Sequence, residues 1–125
     1  MENKPTESEL EVLALIWHNG PLTVRQIHDQ IKKSREIGYT TTLKIMQIMH
    51  EKGMLTRTKN GKSHLYAATE AQGKTKNSIV SRMVTTVFQG STRDLVMQAL
   101  GTSQPSKAEL DEISAYLDEL KRKGQ

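Results

Sequence analysis

The side chains best equipped for chemistry in this chain are hydrogen-bonding groups suited to recognition rather than to bond breaking. Thr40, Thr41, Lys44 and Gln47 lie close together in YTTTLKIMQIMHEKG, residues 39–53, and none of them is acidic. On the outer face of a helix, Thr, Gln and Lys meet base edges and phosphates in a DNA major groove. Arg57, Lys59, Asn60 and Lys62 form a second, mostly cationic set a few residues on. Bond-making chemistry has no comparable constellation. His18, His28, His50 and His64 fall on different predicted elements, with no i, i+4 pair. The chain has no cysteine, which removes thiolate metal sites, disulfides and cysteine nucleophiles. Asn60-Gly61-Lys62-Ser63 looks like the end of a phosphate-binding loop, but the first glycine of that motif is absent and the stretch sits in a predicted hairpin. No enzyme, metal site or cofactor is expected.

The element that must present the first set is a helix over Tyr39–Gly53. Thr42, Ile45, Met46 and Met49 recur at i, i+3, i+4, i+7 and form a core stripe, which leaves Thr40, Thr41, Lys44 and Gln47 on other faces. Its three threonines suit an N-terminus, where a hydroxyl caps free N–H groups. Gly53 suits the position just past the end. Two helices precede it. Thr6-Glu7-Ser8-Glu9 has capping-box form and opens the first, with Leu10, Leu13, Ala14 and Trp17 inward until Gly20-Pro21. Thr23-Val24-Arg25-Gln26 repeats the form and opens the second, with Val24, Ile27 and Ile31 inward. Arg25 occupies the first turn, where the helix dipole disfavours a cation; a phosphate partner and a plainly solvated arginine both fit. Helix, helix, turn, helix is helix-turn-helix order.

After Gly53 the period changes to two. Met54–Thr58 and Ser63–Ala67 read as strands, with Leu65 inward, joined by Lys59-Asn60-Gly61-Lys62, in which Asn-Gly is a strong hairpin signal. A lone hairpin is marginal and must pack on the helices. Its two lysines, with Arg57 behind them, then favour contact with the DNA backbone or minor groove beside the third helix; a solvated polar turn is the alternative. Charge follows the same geography. The whole chain carries +4, yet residues 23–62 hold nine basic and three acidic residues, so that this segment is +6 and the remainder −2. A polyanion-binding surface requires such a concentration.

Thr69-Glu70-Ala71-Gln72-Gly73 reads as a joint dividing residues 1–70 from residues 71–125. Asn77 to Phe88 follows as a helix with Ile79, Val80, Met83, Val84, Val87 and Phe88 on a broad stripe. Gly90-Ser91 breaks it. A short helix from Ser91 or Thr92 turns Leu95, Val96, Ala99 and Leu100 inward, and Gly101–Pro105 is a loop. Ser106-Lys107-Ala108-Glu109 is a third capping box; it opens a helix with Leu110, Ile113, Leu117 and Leu120 in coiled-coil-like spacing. Hydrophobic residues make up 35% of the chain and aromatic residues 4%, thin for one monomeric core. Three such helices barely cover one another. A second copy would complete them as a two-fold dimerisation unit; folding back on the N-terminal half is the alternative. No apolar run is long enough to span a bilayer and the N-terminus has no apolar signal core, so a soluble, cytoplasmic protein is expected.

Taken together, TESELEVLALIW, TVRQIHDQI, YTTTLKIMQIMHEKGML, NGKSHLYAAT, FQGSTRDLVMQAL and SKAELDEISAYLDELKRK resemble, in order and spacing, the penicillinase-repressor family of bacterial regulators (the BlaI/MecI type, with CopY-type copper repressors as relatives). The resemblance covers nearly the whole chain. It implies a mostly α fold with a small β-hairpin wing, a winged helix-turn-helix domain followed by a C-terminal helical dimerisation arm. It also implies a homodimer that binds pseudo-palindromic operators in double-stranded DNA and represses adjacent genes. Carried over by position, Thr40, Thr41, Lys44 and Gln47 face the major groove, Thr23 and Arg25 contact phosphates, and Lys59, Asn60 and Lys62 form the wing tip.

Two family features do not carry over. Antibiotic-responsive members are cleaved at an Asn-Phe bond in the helix after the Gly-Ser break, where this chain has Val96-Met97-Gln98-Ala99-Leu100. Copper-responsive members use a C-terminal cysteine hook, and there is no cysteine here. The sequence therefore names no inducing signal. Two rival readings use the same fold: a winged-helix module that binds protein, and a DNA-binding architectural protein without sequence preference.

Overall fold

Thr6 and Thr23 open the first two helices with the same device. In each, the threonine hydroxyl accepts from the backbone N–H three residues on, and that residue's side chain, Glu9 or Gln26, accepts from the threonine N–H. Both capping boxes form as the sequence suggests. In a computed structural model describing residues 5–124, the elements run α1 (Glu7–Asn19), α2 (Val24–Ile31), α3 (Tyr39–Glu51), β1 (Leu55–Asn60), β2 (Ser63–Ala68), α4 (Gln72–Thr86), α5 (Thr92–Ser103) and α6 (Lys107–Arg122). The described residues form two compact units, divided inside α4 between Ser78 and Ile79.

The first unit is a winged helix. Its core holds Val12, Leu13 and Ile16 of α1, Val24, Ile27 and Ile31 of α2, Met46 and Met49 of α3, Leu55 of β1 and Tyr66 of β2. The buried stripe of α1 lies one residue away from the expected one. Glu9, Val12, Leu13 and Ile16 are buried, whereas Ala14 is exposed and Leu10 and Trp17 are half-buried. Residues 12–17 are apolar without interruption, so two stripes compete. The buried one places Glu9 against the cation of Lys52, the C-cap of α3.

The start of α3 also differs from expectation. Its N-cap is Gly38, and no side chain caps it. Thr40 and Thr41 stand exposed in the first turn, and Thr42 is fully buried. The C-terminal end follows the glycine rule. Gly53 has φ +82, its N–H donates to the His50 carbonyl at 3.1 Å, and Met54 N–H donates to Met49 carbonyl at 2.9 Å, the paired bonds of a Schellman motif.

The motif turns the chain directly into the wing, whose β1 packs against α3. Strands β1 and β2 are antiparallel, from Leu55 opposite Ala68 to Asn60 opposite Ser63. The central residues of the turn are thus Gly61-Lys62, not Asn-Gly. Gly61 has φ +65 and Lys62 is not left-handed, the pattern of a II′ turn, which needs a positive φ only at its first central residue. Leu65 is not the inward residue of β2; Tyr66 is, at 2% exposure. Both parities of β2 carry apolar side chains, and pairing with β1 decides between them: Tyr66, opposite Arg57, shares the face of buried Leu55. Tyr66 also exchanges two backbone hydrogen bonds with Leu22, at 3.0 and 2.8 Å, which pin the wing to the α1–α2 connection.

The second unit begins within a helix that starts earlier than expected. α4 runs from Gln72, because Gly73 sits in its first turn, where glycine costs little. α5 continues through Gly101 to Ser103 rather than ending before it, and stops at Gln104 with φ +49. Ser91 caps α5, and Ser106 caps α6 by accepting from Glu109 N–H at 3.1 Å, one half of the expected box. None of the described residues of α4, α5 or α6 is buried. Val96 and Ala99, expected inward, are exposed; Leu95 and Leu100 are half-buried. Burying one Val, Leu or Met side chain contributes roughly 1.5–3 kcal/mol, and this unit collects that term in full nowhere among its described residues.

Candidate nucleic-acid interface

Packing of α3 sorts its residues. Thr42, Met46 and Met49 face the core and Ile45 is half-buried against it, as the sequence stripe predicts. That leaves Thr40, Thr41, Lys44, Gln47, Ile48 and Glu51 exposed on the opposite side. All four recognition candidates therefore share one solvent-facing surface, joined by an aliphatic side chain and a carboxylate that the sequence reading did not include.

The roll of α3 about its axis is held from beneath by α2. His28, on the buried edge of α2, places Nδ1 3.0 Å from the Thr42 hydroxyl. Val24, Ile27, His28 and Ile31 repeat i, i+3, i+4, i+7, so the burial of His28 was available from spacing; its polarity concealed it. Above this bond the ring of Tyr39 meets His28 edge-on, with centroids 5.5 Å apart and an 80° interplanar angle. The Arg25 guanidinium lies 4.9 Å from the Tyr39 centroid. Exposed Arg25 thus stands over an aromatic face at the start of α3, with no carboxylate partner among the described residues. Thr23, the other candidate from α2, spends its hydroxyl in the capping box.

The basic residues divide into two groups. Arg35 Nη2 donates to Glu11 at 2.7 Å and lies 3.4 Å from the Ser8 hydroxyl, tying the α2–α3 connection to α1. Lys32 pairs with Asp29 at 3.4 Å. Lys52 donates to both carboxylate oxygens of Glu9, at 2.8 and 3.1 Å, linking the end of α3 to the start of α1. Burial pushes the Glu9 carboxyl up. The Lys52 hydrogen bond, the Thr6 backbone N–H, the Lys52 charge and the Thr6 hydroxyl together outweigh it and hold Glu9 below its ordinary value. Arg35 and Lys52 thus serve the fold, while the exposed Lys32–Asp29 pair stays within one helix end. Among the described residues, no carboxylate pairs with Lys44, Lys59 or Lys62.

The wing presents its candidates on two faces. Arg57 and Lys59 alternate onto the side of Leu55 and Tyr66, Asn60 points to the other side, and Lys62 stands in the turn. Arg57 Nη1 reaches the Tyr66 hydroxyl at 3.5 Å, the outer limit of a hydrogen bond. Among the described residues no group of three His, Cys, Asp or Glu gathers to hold a metal, and no helix is long and apolar enough to cross a membrane.

Comparison with known proteins finds relatives among transcriptional regulators. A transcriptional regulator BlaI of Mycobacterium tuberculosis (strain CDC 1551 / Oshkosh) is 30% identical over 60 residues, 47% of this chain and 44% of that protein. The match thus spans less than half the length of that relative. A penicillinase repressor of Staphylococcus aureus is 20% identical over 126 residues, covering 98% of this chain and all of the relative. Among solved structures, a variant of Lactococcus lactis ZitR has a TM-score of 0.52 at 19% identity, covering 100% of this chain and 79% of that one. MepR, a transcription regulator of the Staphylococcus aureus multidrug efflux pump MepA, has a TM-score of 0.50 at 18% identity, covering 98% and 82%. These likenesses are of fold. Residues 5–119 match the penicillinase repressor family, and the chain belongs to it.

Proposed function

We propose that this protein is a homodimeric, sequence-specific DNA-binding transcriptional repressor acting on pseudo-palindromic operators. The observation that carries the reading is the sorting of its cations. Arg35 and Lys52 are consumed by internal ion pairs, while Lys44, Lys59 and Lys62 stand exposed on α3 and the wing. In this reading α3 lies in the major groove with Thr40, Thr41, Lys44 and Gln47 at base edges. Arg25, Arg57, Lys59, Asn60 and Lys62 meet the sugar–phosphate backbone and set the register, while Thr23, its donors taken by Gln26, only holds the start of α2.

Dimerisation is supported by the second unit. Val80, Met83, Val87, Val96, Met97, Leu110 and Leu117 are exposed there, Val87 to 66% and Met97 to 65%. Ile79, Val84, Phe88, Leu95, Ile113 and Leu120 are half-buried. A second copy would cover them. Two recognition helices related by a two-fold axis would then address two half-sites about one helical turn, or a small multiple of it, apart. Sedimentation of the protein and footprinting of its complex test this together. A dimer protecting two half-sites is expected; a monomer, or protection of one half-site, would contradict it.

A further inference from the structure

Tyr39 is the first residue of α3, and its ring is held between two side chains of α2. One face takes the Arg25 guanidinium, 4.9 Å from the centroid. His28 braces the ring edge-on at 5.5 Å, and His28 is itself buried and fixed 3.0 Å from the Thr42 hydroxyl. We propose that Tyr39 is a positioning residue for DNA-backbone binding: its ring holds Arg25 ready to meet a phosphate. The inference rests on the DNA-binding reading.

Arg25 stands where the starts of two helices meet. It lies in the first turn of α2 and beside the first residue of α3, and each helix N-terminus is a positive end that repels a cation. The first turn of α2 has no acidic residue to offset this. The negative face of an aromatic ring is what remains to hold the cation. A guanidinium over the ring face keeps N–H donors for a further partner, and its planar fork matches a phosphate. An arginine already ordered loses less freedom on binding than one drawn from solvent. The brace matters for the same reason, since a ring free to turn would release the cation.

Fluorescence anisotropy with the full chain tests this, using a duplex of the DNA upstream of the protein's own gene and a scrambled duplex over a range of salt. Wild type is compared with Arg25→Ala, Tyr39→Leu, Tyr39→Phe, Arg25→Lys and the double variant Arg25→Ala/Tyr39→Leu. Tyr39→Phe keeps the ring and should bind as wild type. Tyr39→Leu should lose roughly two- to fivefold on both duplexes, the scale of an exposed cation–π contact. In the Arg25→Ala background the same substitution should cost nothing further, which a merely structural role of Tyr39 would not produce. Should Tyr39→Leu fail to fold, Arg25→Lys carries the test: it keeps the charge but not the stacking fork, and should lose similarly.

Additive losses from the two sites, or an Arg25→Lys variant equal to wild type, would overturn the proposal. So would a Tyr39→Leu that folds and binds as wild type. A loss in Tyr39→Phe equal to that in Tyr39→Leu would make the hydroxyl a direct DNA contact and overturn it too. If wild type binds neither duplex, the DNA-binding reading fails as well, an outcome distinct from all of these.

Discussion

Lys52, the C-cap of α3, holds the Glu9 carboxylate of α1 at 2.8 and 3.1 Å, and the Glu9 side chain is only 6% exposed. One ion pair thus joins the first turn of α1 to the far end of the helix that carries Thr40 to Gln47. Glu9 is held below its ordinary value of 4.5. The folded protein therefore binds this proton less readily than the unfolded chain. The resulting stability is complete above pH 4.5 and is lost as pH falls through the lower folded value. Lys52→Ala, which strands the buried carboxylate, should cost about 2 kcal/mol at neutral pH. Glu9→Gln should flatten the acid limb of the profile. Denaturant unfolding between pH 3 and pH 7 (roughly the carboxylate titration range) measures both; a Lys52→Ala variant with wild-type stability and an unchanged acid limb would contradict the account.

The His28–Thr42 bond yields a double-mutant prediction. Either group alone is a buried polar atom without a partner, so Thr42→Val and His28→Leu should each cost about 1–3 kcal/mol. The pair together should cost less than the sum, because apolar replacement of both leaves nothing unsatisfied. Strict additivity in chemical denaturation would mean that the bond does not fix α3.

The two cationic sets should be separable on DNA. Lys44→Ala should weaken operator binding by about 1–3 kcal/mol, with a much smaller effect on random duplex, if Lys44 meets a base edge. Lys59→Ala should weaken binding to all sequences and reduce the salt slope by about one. An unchanged slope for Lys59→Ala would remove the wing tip from the interface.

Dimerisation should depend on the exposed apolar side chains of the second unit. Val87→Glu or Leu117→Glu places a charge where a partner helix would pack and should convert dimer to monomer at micromolar concentration, read by sedimentation. A dimer unaffected by both would place the contact elsewhere. The same variants should lose affinity for a two-half-site operator while retaining the melting behaviour of the first unit.

Much of this was legible in the chain itself. The capping boxes at Thr6 and Thr23, the Met46–Met49 stripe and Gly53 as helix terminator rest on local rules and appear where spacing puts them, and the hairpin forms with its turn one residue on from Asn-Gly. What escaped was decided by partners far away in sequence. The buried stripe of α1 includes Glu9, whose cation comes from residue 52; the parity of β2 follows Leu55 and Leu22. The brace beneath the recognition face escaped for another reason. His28 and Tyr39 each look solvent-compatible alone, and only the crossing of α2 over α3 gives them a shared task.

The central claim, sequence-specific DNA binding, is tested most directly by fluorescence anisotropy on the DNA upstream of the protein's own gene and on a scrambled duplex, at two salt concentrations. The account predicts a preference for the upstream DNA of about a thousandfold or more. Equal, salt-sensitive binding to both would make the protein an architectural DNA binder, and binding to neither would contradict the account outright.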